Sequence, residues 1–335
     1  MPSQNNKTSK GRVRSALILI SVISGKVYNS HSYMRRSEFI RVISGGVLLL
    51  AGVPAAKAAG RAIARTKLRF GVVTDTHYAD REPNGTRHYR DSMQKMQRAV
   101  EYFNSENVDF IIELGDMKDT THDAAVEPTL RFLEEIERIF QSFNGPAYHV
   151  LGNHDMDCIS KEEFLSHTFN AGRAKGRSYY SFTARRTRCI VLDANFNPDG
   201  EPYSRGNFDW KKCMIPTEQL RWLEKELSAH PTQPTLIFLH QLLDSFSDVS
   251  RSVCVSNAEE VVAILERHPQ VRAVFQGHHH PGHYSHRAGI HYLTLQGMIE
   301  KAAPANSYAV VELRENGDIY VKGFGACPDR EMRRE

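Results

Sequence analysis

The sequence predicts an α/β protein built on mostly parallel strands, and three observations predict it. Short apolar runs alternate with longer amphipathic stretches from Leu68 onward, the pattern of successive βαβ units. Clusters of Asp, Asn and His follow five of those apolar runs, and ligands of open α/β sheets gather beyond the carboxyl ends of the strands. The composition, 41% hydrophobic and 24% charged over 335 residues, is that of an ordinary globular chain. It excludes disordered, collagen-like and polytopic membrane proteins.

In chain order, the runs 68–74, 108–114, 147–151, 189–192, 235–239 and 271–276 read as buried strands. Between them, 91–104, 124–143, 160–169, 217–228 and 257–267 carry apolar residues at helical spacing. Ser160 and Glu163 have the spacing of a capping box, and Pro216 stands just before the helix expected from Thr217. Late strands are expected at 289–295, 308–313 and 319–323, with Asn316-Gly317-Asp318 turning the last pair into a hairpin. Residues 195–216 read as one long loop, a common home for function.

Charge divides the chain. The first 66 residues hold 11 Lys/Arg and a single acid, Glu38, which leaves the remainder with 32 basic and 38 acidic residues. An acidic body argues against nucleic acid as a partner, since a nucleic-acid binder carries its positive charge on the folded domain. Five scattered cysteines (158, 189, 213, 254 and 327) make neither a disulfide framework nor a CxxC metal site, so buried free thiols are expected.

From Met34 the order Arg35-Arg36-Ser37-Glu38-Phe39-Ile40, an apolar stretch 42–56 and the small-residue pattern Ala56-Lys57-Ala58 has the three parts of an export signal. The arginine pair resembles a twin-arginine leader, although Phe39 sits one position later than in the usual pattern. At 15 residues, broken by Gly45, Gly46 and Pro54, the stretch falls short of the ~20 needed for a membrane span. Residues 34–60 are therefore expected to be an exported leader bound for the periplasm or the extracellular space, and 1–33 an upstream extension preceding the true start at Met34.

The chemistry lies at the strand ends. The first strand runs into Asp75-Thr76-His77, the second into Gly115-Asp116 and the third into Gly152-Asn153-His154-Asp155. A later strand reaches His240, and another Gly277-His278-His279-His280. Asp75 and His77, two apart in extended backbone, are expected to point the same way and can hold one cation; His278 and His280 share that spacing. Gly115, Gly152 and Gly277 permit tight exits from the strands. Six of the 16 histidines lie between His278 and His291, and imidazole is the commonest metal ligand. Donors of Asp, Asn and His without thiolates suit Mn, Fe, Zn or Ni better than Ca or a structural Zn.

This ordered set resembles the calcineurin-like metallophosphoesterases from Asp75 to His280. The resemblance implies a four-layer α/β/β/α sandwich over residues 68–325, with 326–335 a polar tail, and a centre of two divalent metal ions. It assigns Asp75, His77 and His280 to one ion, Asn153, His240 and His278 to the other, and Asp116 to both. His154 would face the scissile phosphoryl group, with Asp155 orienting its ring. A narrower similarity connects Asp75–Asp80, Gly85–Arg90, Glu218–Leu223, Ser252–Cys254 and Gly297–Glu300 to the manganese-dependent ADP-ribose/CDP-alcohol diphosphatases, which favours manganese over iron or zinc. That subgroup usually has Gln at the position of His77 and Glu at that of Asp155.

The implied reaction is hydrolysis of a small phosphoric ester or diphosphate, a hydroxide bridging the two ions attacking phosphorus while His154 assists the leaving group. An alkaline-type phosphomonoesterase and a non-catalytic metal-binding scaffold are the alternatives; a purple acid phosphatase would need a Tyr ligand after Gly115-Asp116, where Met117-Lys118-Asp119 follow instead. Arg87, His88 and Arg90 could grip a substrate phosphate, or merely form an exposed basic loop. Tyr78 and Tyr203 are weaker candidates for stacking on a nucleobase, and no protein partner is implied. Amino-terminal sequencing of exported material is expected to find no residue of 1–33; a mature chain that retains residues 1–33 would refute the start at Met34.

Overall fold

In a computed structural model, residues 64–335 apart from 175 are described. The expected leader (34–60) and upstream extension (1–33) lie outside the described residues. The chain runs through β1 (Thr66–Val73), α1 (Asp91–Ser105), β2 (Phe110–Glu113), α2 (Val126–Phe140), β3 (Ala147–His149), α3 (Lys161–His167), β4 (Tyr180–Ala184) and β5 (Thr187–Val191). It continues through α4 (Thr217–Ala229), β6 (Thr235–Phe238), α5 (Ala258–Glu266), β7 (Val271–Gln276), β8 (His283–Arg287), β9 (Ile290–Thr294), β10 (Ser307–Arg314), β11 (Ile319–Gly325) and β12 (Arg330–Met332).

The strands form two six-stranded mixed sheets, ordered β12-β11-β10-β1-β2-β3 and β4-β5-β6-β7-β9-β8. The parallel cores are β1-β2-β3 and β5-β6-β7-β9; antiparallel strands flank both. Strand alternation divides the side chains between two interiors. Leu68, Phe70, Val72, Phe110, Ile112, Leu236, Phe238, Ala273 and Phe275 fill the space between the sheets, while Val73, Ile111, Ile237 and Val274 share the other core with helical residues. Both faces of the central strands are thus covered, which is why they read as continuous apolar runs.

Phe70 stacks on Phe110 at 4.9 Å and meets the edges of Phe238 and Phe275 of the opposite sheet at 5.6 and 5.5 Å. On the outer face, a Cβ at Gly71 would come within 2.6 Å of the Phe103 ring of α1, so the missing side chain is what lets that helix lie against β1. The Arg188–Glu226 pair ties β5 to α4. The layers are those of an α/β/β/α sandwich, as expected.

The boundaries hold closely for the helices, and Ser160 and Glu163 form the reciprocal capping box. Three edge strands carry no apolar run and escape the sequence pattern: β4 and β8 are partly exposed, and β12 has three residues. β12 also corrects the polar tail expected at 326–335. Arg330 pairs with Val321, and Met332 and Cys327 are buried, so the domain reaches the end of the chain. All five cysteines are buried free thiols. No helix among the described residues is long and apolar enough to cross a membrane. Truncating Phe70 to Ala is expected to cost about 3–5 kcal/mol in urea unfolding, because the cavity would open between two sheets held at fixed separation.

Candidate metal centre

The carboxyl ends of β1, β2 and β3 from one sheet and of β6 and β7 from the other meet at one place. Asp75, His77 and His280 form one group of potential ligands, Asp116, His240 and His278 a second, and His77, Asp116 and His154 a third that overlaps both; the donor atoms within each group lie no more than 4.8 Å apart. Asp116 Oδ2 is 3.1 Å from His240 Nε2 and 3.5 Å from His77 Nε2, which sets its carboxylate between the two groups. His280 Nε2 is 3.3 Å from Asp75 Oδ1 and 3.2 Å from His77 Nε2.

The route to this convergence differs from the expectation. Asp75, His77 and His278 are not in extended backbone: their φ values are 50°, 46° and 64°, and that of Asp116 is 59°. Four non-glycine residues in the left-handed region carry a local cost, offset by interlocking hydrogen bonds. Asp75 N–H donates to Gly115 O, His77 N–H to Asp116 O, His278 N–H to the Asp75 carboxylate and His154 N–H to Asp116 Oδ1. Tight reversals, not a period of two, aim the donors together. The glycines serve close approach: a Cβ on Gly152 would sit 2.2 Å from Asp116 N, and one on Gly115 2.6 Å from Gly152 N.

The donor set fits cations on the protein's own terms. Asn153 Oδ1 and His278 Nε2 are buried without a hydrogen-bond partner, and His240 Nε2 makes no hydrogen bond despite its nearness to Asp116. Such orphans are costly in a protein interior, and a cation would satisfy all three. The rings are also oriented from behind, as ligating histidines usually are. His240 Nδ1 donates to Leu114 O at 2.8 Å and His280 Nδ1 to Glu300 Oε1 at 2.7 Å, while His77 Nδ1 faces Asp119 Oδ2 at 3.4 Å. Lys95, whose ammonium is pushed down to about 8 by burial, donates to the carbonyls of Met298 and Lys301 and anchors the segment bearing Glu300.

The calcineurin-like phosphoesterase family model matches residues 68–282. The chain belongs to that family. A manganese-dependent ADP-ribose/CDP-alcohol diphosphatase of Arabidopsis thaliana is 27% identical over 301 residues, covering 77% of this chain and 94% of that protein. One from Oryza sativa is 29% identical over 306 residues, covering 78% and 93%. A dimetal phosphatase from Danio rerio superposes with a TM-score of 0.70 at 23% identity, over 81% of this chain and 100% of that one. The protein is thus a metal-dependent phosphoesterase.

Within this calcineurin-like phosphoesterase, burial works against ionisation of Asp75 and Asp116, but the imidazoles of His280 and His240 outweigh it and hold both acids below the usual carboxylate range. Burial and the neighbouring His240 push His278 down to about 3. The next acids inward go the other way. Burial, then repulsion from Asp155, lifts Glu113 well above its ordinary value, and burial with repulsion from Asp116 lifts Asp155 to about 6.

Asp155 does not orient His154. Its carboxylate accepts the backbone N–H groups of Gly152, Asp116 and Met117 at 2.8, 3.1 and 3.0 Å. The partner of the His154 ring is Asp157, with Nδ1 to Oδ2 at 2.6 Å. Residues 154–156 form a 3₁₀ turn, whose three-residue period stacks 157 over 154 and turns 155 inward. Burial disfavours the charged ring of His154, yet Asp116 and Asp157 raise it to about 9.

Of the basic loop, Arg87 is near enough for its charge to act on His280 and Glu300. The Arg90 fork is taken up by Asp80 and Glu82, and His88 faces Asp91 at 3.9 Å. Tyr78 and Tyr203 are buried, one donating to Glu135 and the other stacked on Phe208, so neither offers a face to a base. His283, His286 and His291 belong to none of the candidate ligand groups among the described residues. Asp119, Asp157 and Glu300 were not among the predicted site residues, though the i, i+3 spacing of His154 and Asp157 was a usable sign.

Asp116→Ala is expected to abolish binding at both metal positions, read as metal content of the purified folded variant. Asp157→Asn removes a charge that raises His154, so the ring would lose its proton at lower pH. The alkaline limb of the kcat profile is expected to move toward neutrality, with metal content unchanged.

Proposed function

We propose that the protein is a manganese-dependent hydrolase of small diphosphate or phosphodiester substrates of the ADP-ribose and CDP-alcohol type. The observation that carries this reading is a single carboxylate, Asp116, set between two groups of donors, with orphaned buried ligand atoms facing the same place. Asp75, His77 and His280 would hold one ion, Asn153, His240 and His278 the other, and Asp116 both. The pair supplies, when bound, a nucleophile at neutral pH and neutralisation of charge on the phosphoryl oxygens.

The chain's own residues do the rest. His154 donates Nδ1–H to Asp157, which leaves Nε2 to carry a proton toward the leaving oxygen. Its backbone N–H is fixed to Asp116 Oδ1 at 2.7 Å, so the acid and the ion-holding carboxylate share one position. The three backbone N–H groups gathered by Asp155 keep the loops of β2 and β3 in register. Arg87, beside Glu300 and His280, is the group with the charge and reach to hold a distal phosphate. The similarity to diphosphatases over 77–78% of this chain favours an anhydride or diester over a monoester. The Arg35-Arg36 leader supports a place of action outside the cytoplasm.

Manganese-loaded protein is expected to hydrolyse ADP-ribose, CDP-choline and bis-p-nitrophenyl phosphate faster than p-nitrophenyl phosphate, measured as kcat/KM. Preference for the monoester would overturn the reading. His154→Ala is expected to keep its metal and lose about 10²–10⁴-fold in kcat, the usual contribution of a general acid.

A further inference from the structure

The loop 195–216 carries a feature that the chemistry above leaves unused. Among the described residues, the only large apolar side chains classed as exposed are Phe169 and Trp210, the latter 39% accessible. A lone exposed aromatic on a remote surface asks for no explanation. Trp210 is not remote: its ring centroid lies 5.5 Å from that of His278, edge to face at 66°, and His278 in turn meets His240 at 5.0 Å. Trp210 therefore stands at the rim of the second ligand group.

Its position is built. Asp209 caps the 3₁₀ turn Trp210–Lys212 by accepting the Lys211 N–H. Before the turn, Tyr203 is buried and stacks on Phe208 at 4.2 Å, its hydroxyl donating to Asp209 O. After it, Cys213 is buried and its carbonyl accepts Ser256 N–H. Both flanks are anchored while the turn itself faces solvent. Lys211 Nζ lies 5.2 Å from the indole centroid, and Lys212 pairs with Asp209 at 3.1 Å. The indole carries an ammonium over its ring and stays partly open to solvent; such a π surface, next to a centre that would bind phosphoryl oxygens, matches a nucleobase linked to phosphate. Bases stack on such surfaces with little regard to sequence.

We propose that Trp210, with Lys211 beside it, is the stacking platform for the base of a nucleoside diphosphate substrate, on the side of the second ligand group. This deepens the diphosphatase reading and rests on it. Two measurements test it.

The first compares ADP-ribose with a diphosphate capped by alkyl groups at both ends. Trp210→Ala is expected to raise KM for ADP-ribose about tenfold with kcat nearly unchanged, Trp210→Phe to restore most of the loss, and the alkyl substrate to respond to neither. Equal losses on both substrates, or none on either, would overturn the platform. The second uses metal-free Trp222→Phe protein, in which Trp210 is the remaining tryptophan. AMP is expected to quench its fluorescence saturably and ribose 5-phosphate to leave it unchanged; quenching by both, or by neither, would refute base stacking. If the wild type turned over neither diphosphate, the diphosphatase reading would fall, and the AMP titration would by itself decide the platform.

Discussion

The Asp116 carboxylate is the constraint on which the rest of the site depends. One oxygen is fixed by the His154 N–H and the other faces His77 and His240, while its own backbone is left-handed and its N–H is held by Asp155. Two glycines are needed so that the neighbouring loops can close around it. Moving this carboxylate by a fraction of an ångström would disturb both groups of donors and the acid together. The local strain and the buried polar groups follow from the need to keep it still.

Electrostatics explains why the surrounding carboxyl groups do not behave alike. Five acids, Asp75, Asp116, Asp119, Asp155 and Glu113, lie buried within one neighbourhood, and five full negative charges would repel strongly at low dielectric. The three that face histidines, Asp75, Asp116 and Asp119, stay ionised; Asp155 and Glu113, which lie behind, are pushed toward their neutral forms. The negative charge is thereby concentrated where cations can use it, and the second row serves the backbone.

The strand-end residues were legible in the sequence because polar donors interrupt apolar runs that bury both faces. The alternation of those runs with amphipathic helices pointed to parallel α/β units, and the four-layer sandwich came from the family resemblance. What escaped was whatever depends on local backbone geometry or on an edge. The left-handed exits at Asp75, His77 and His278 have no signature in a chain where Asp and His are drawn there for their donors. The choice of Asp157 over Asp155 turns on a single 3₁₀ turn. β4 and β8 lie at a sheet edge and alternate too weakly to be seen. Trp210 was hidden because a tryptophan in a loop gives no sign of which centre it borders.

The donor-bearing loops come from two different sheets, three from one and two from the other. The thickness of the aromatic layer formed by Phe70, Phe238 and Phe275 therefore acts as a spacer that sets how far apart the two halves of the donor ring stand. A change of bulk in that layer would shift the two halves of the donor ring relative to each other without altering a single ligand.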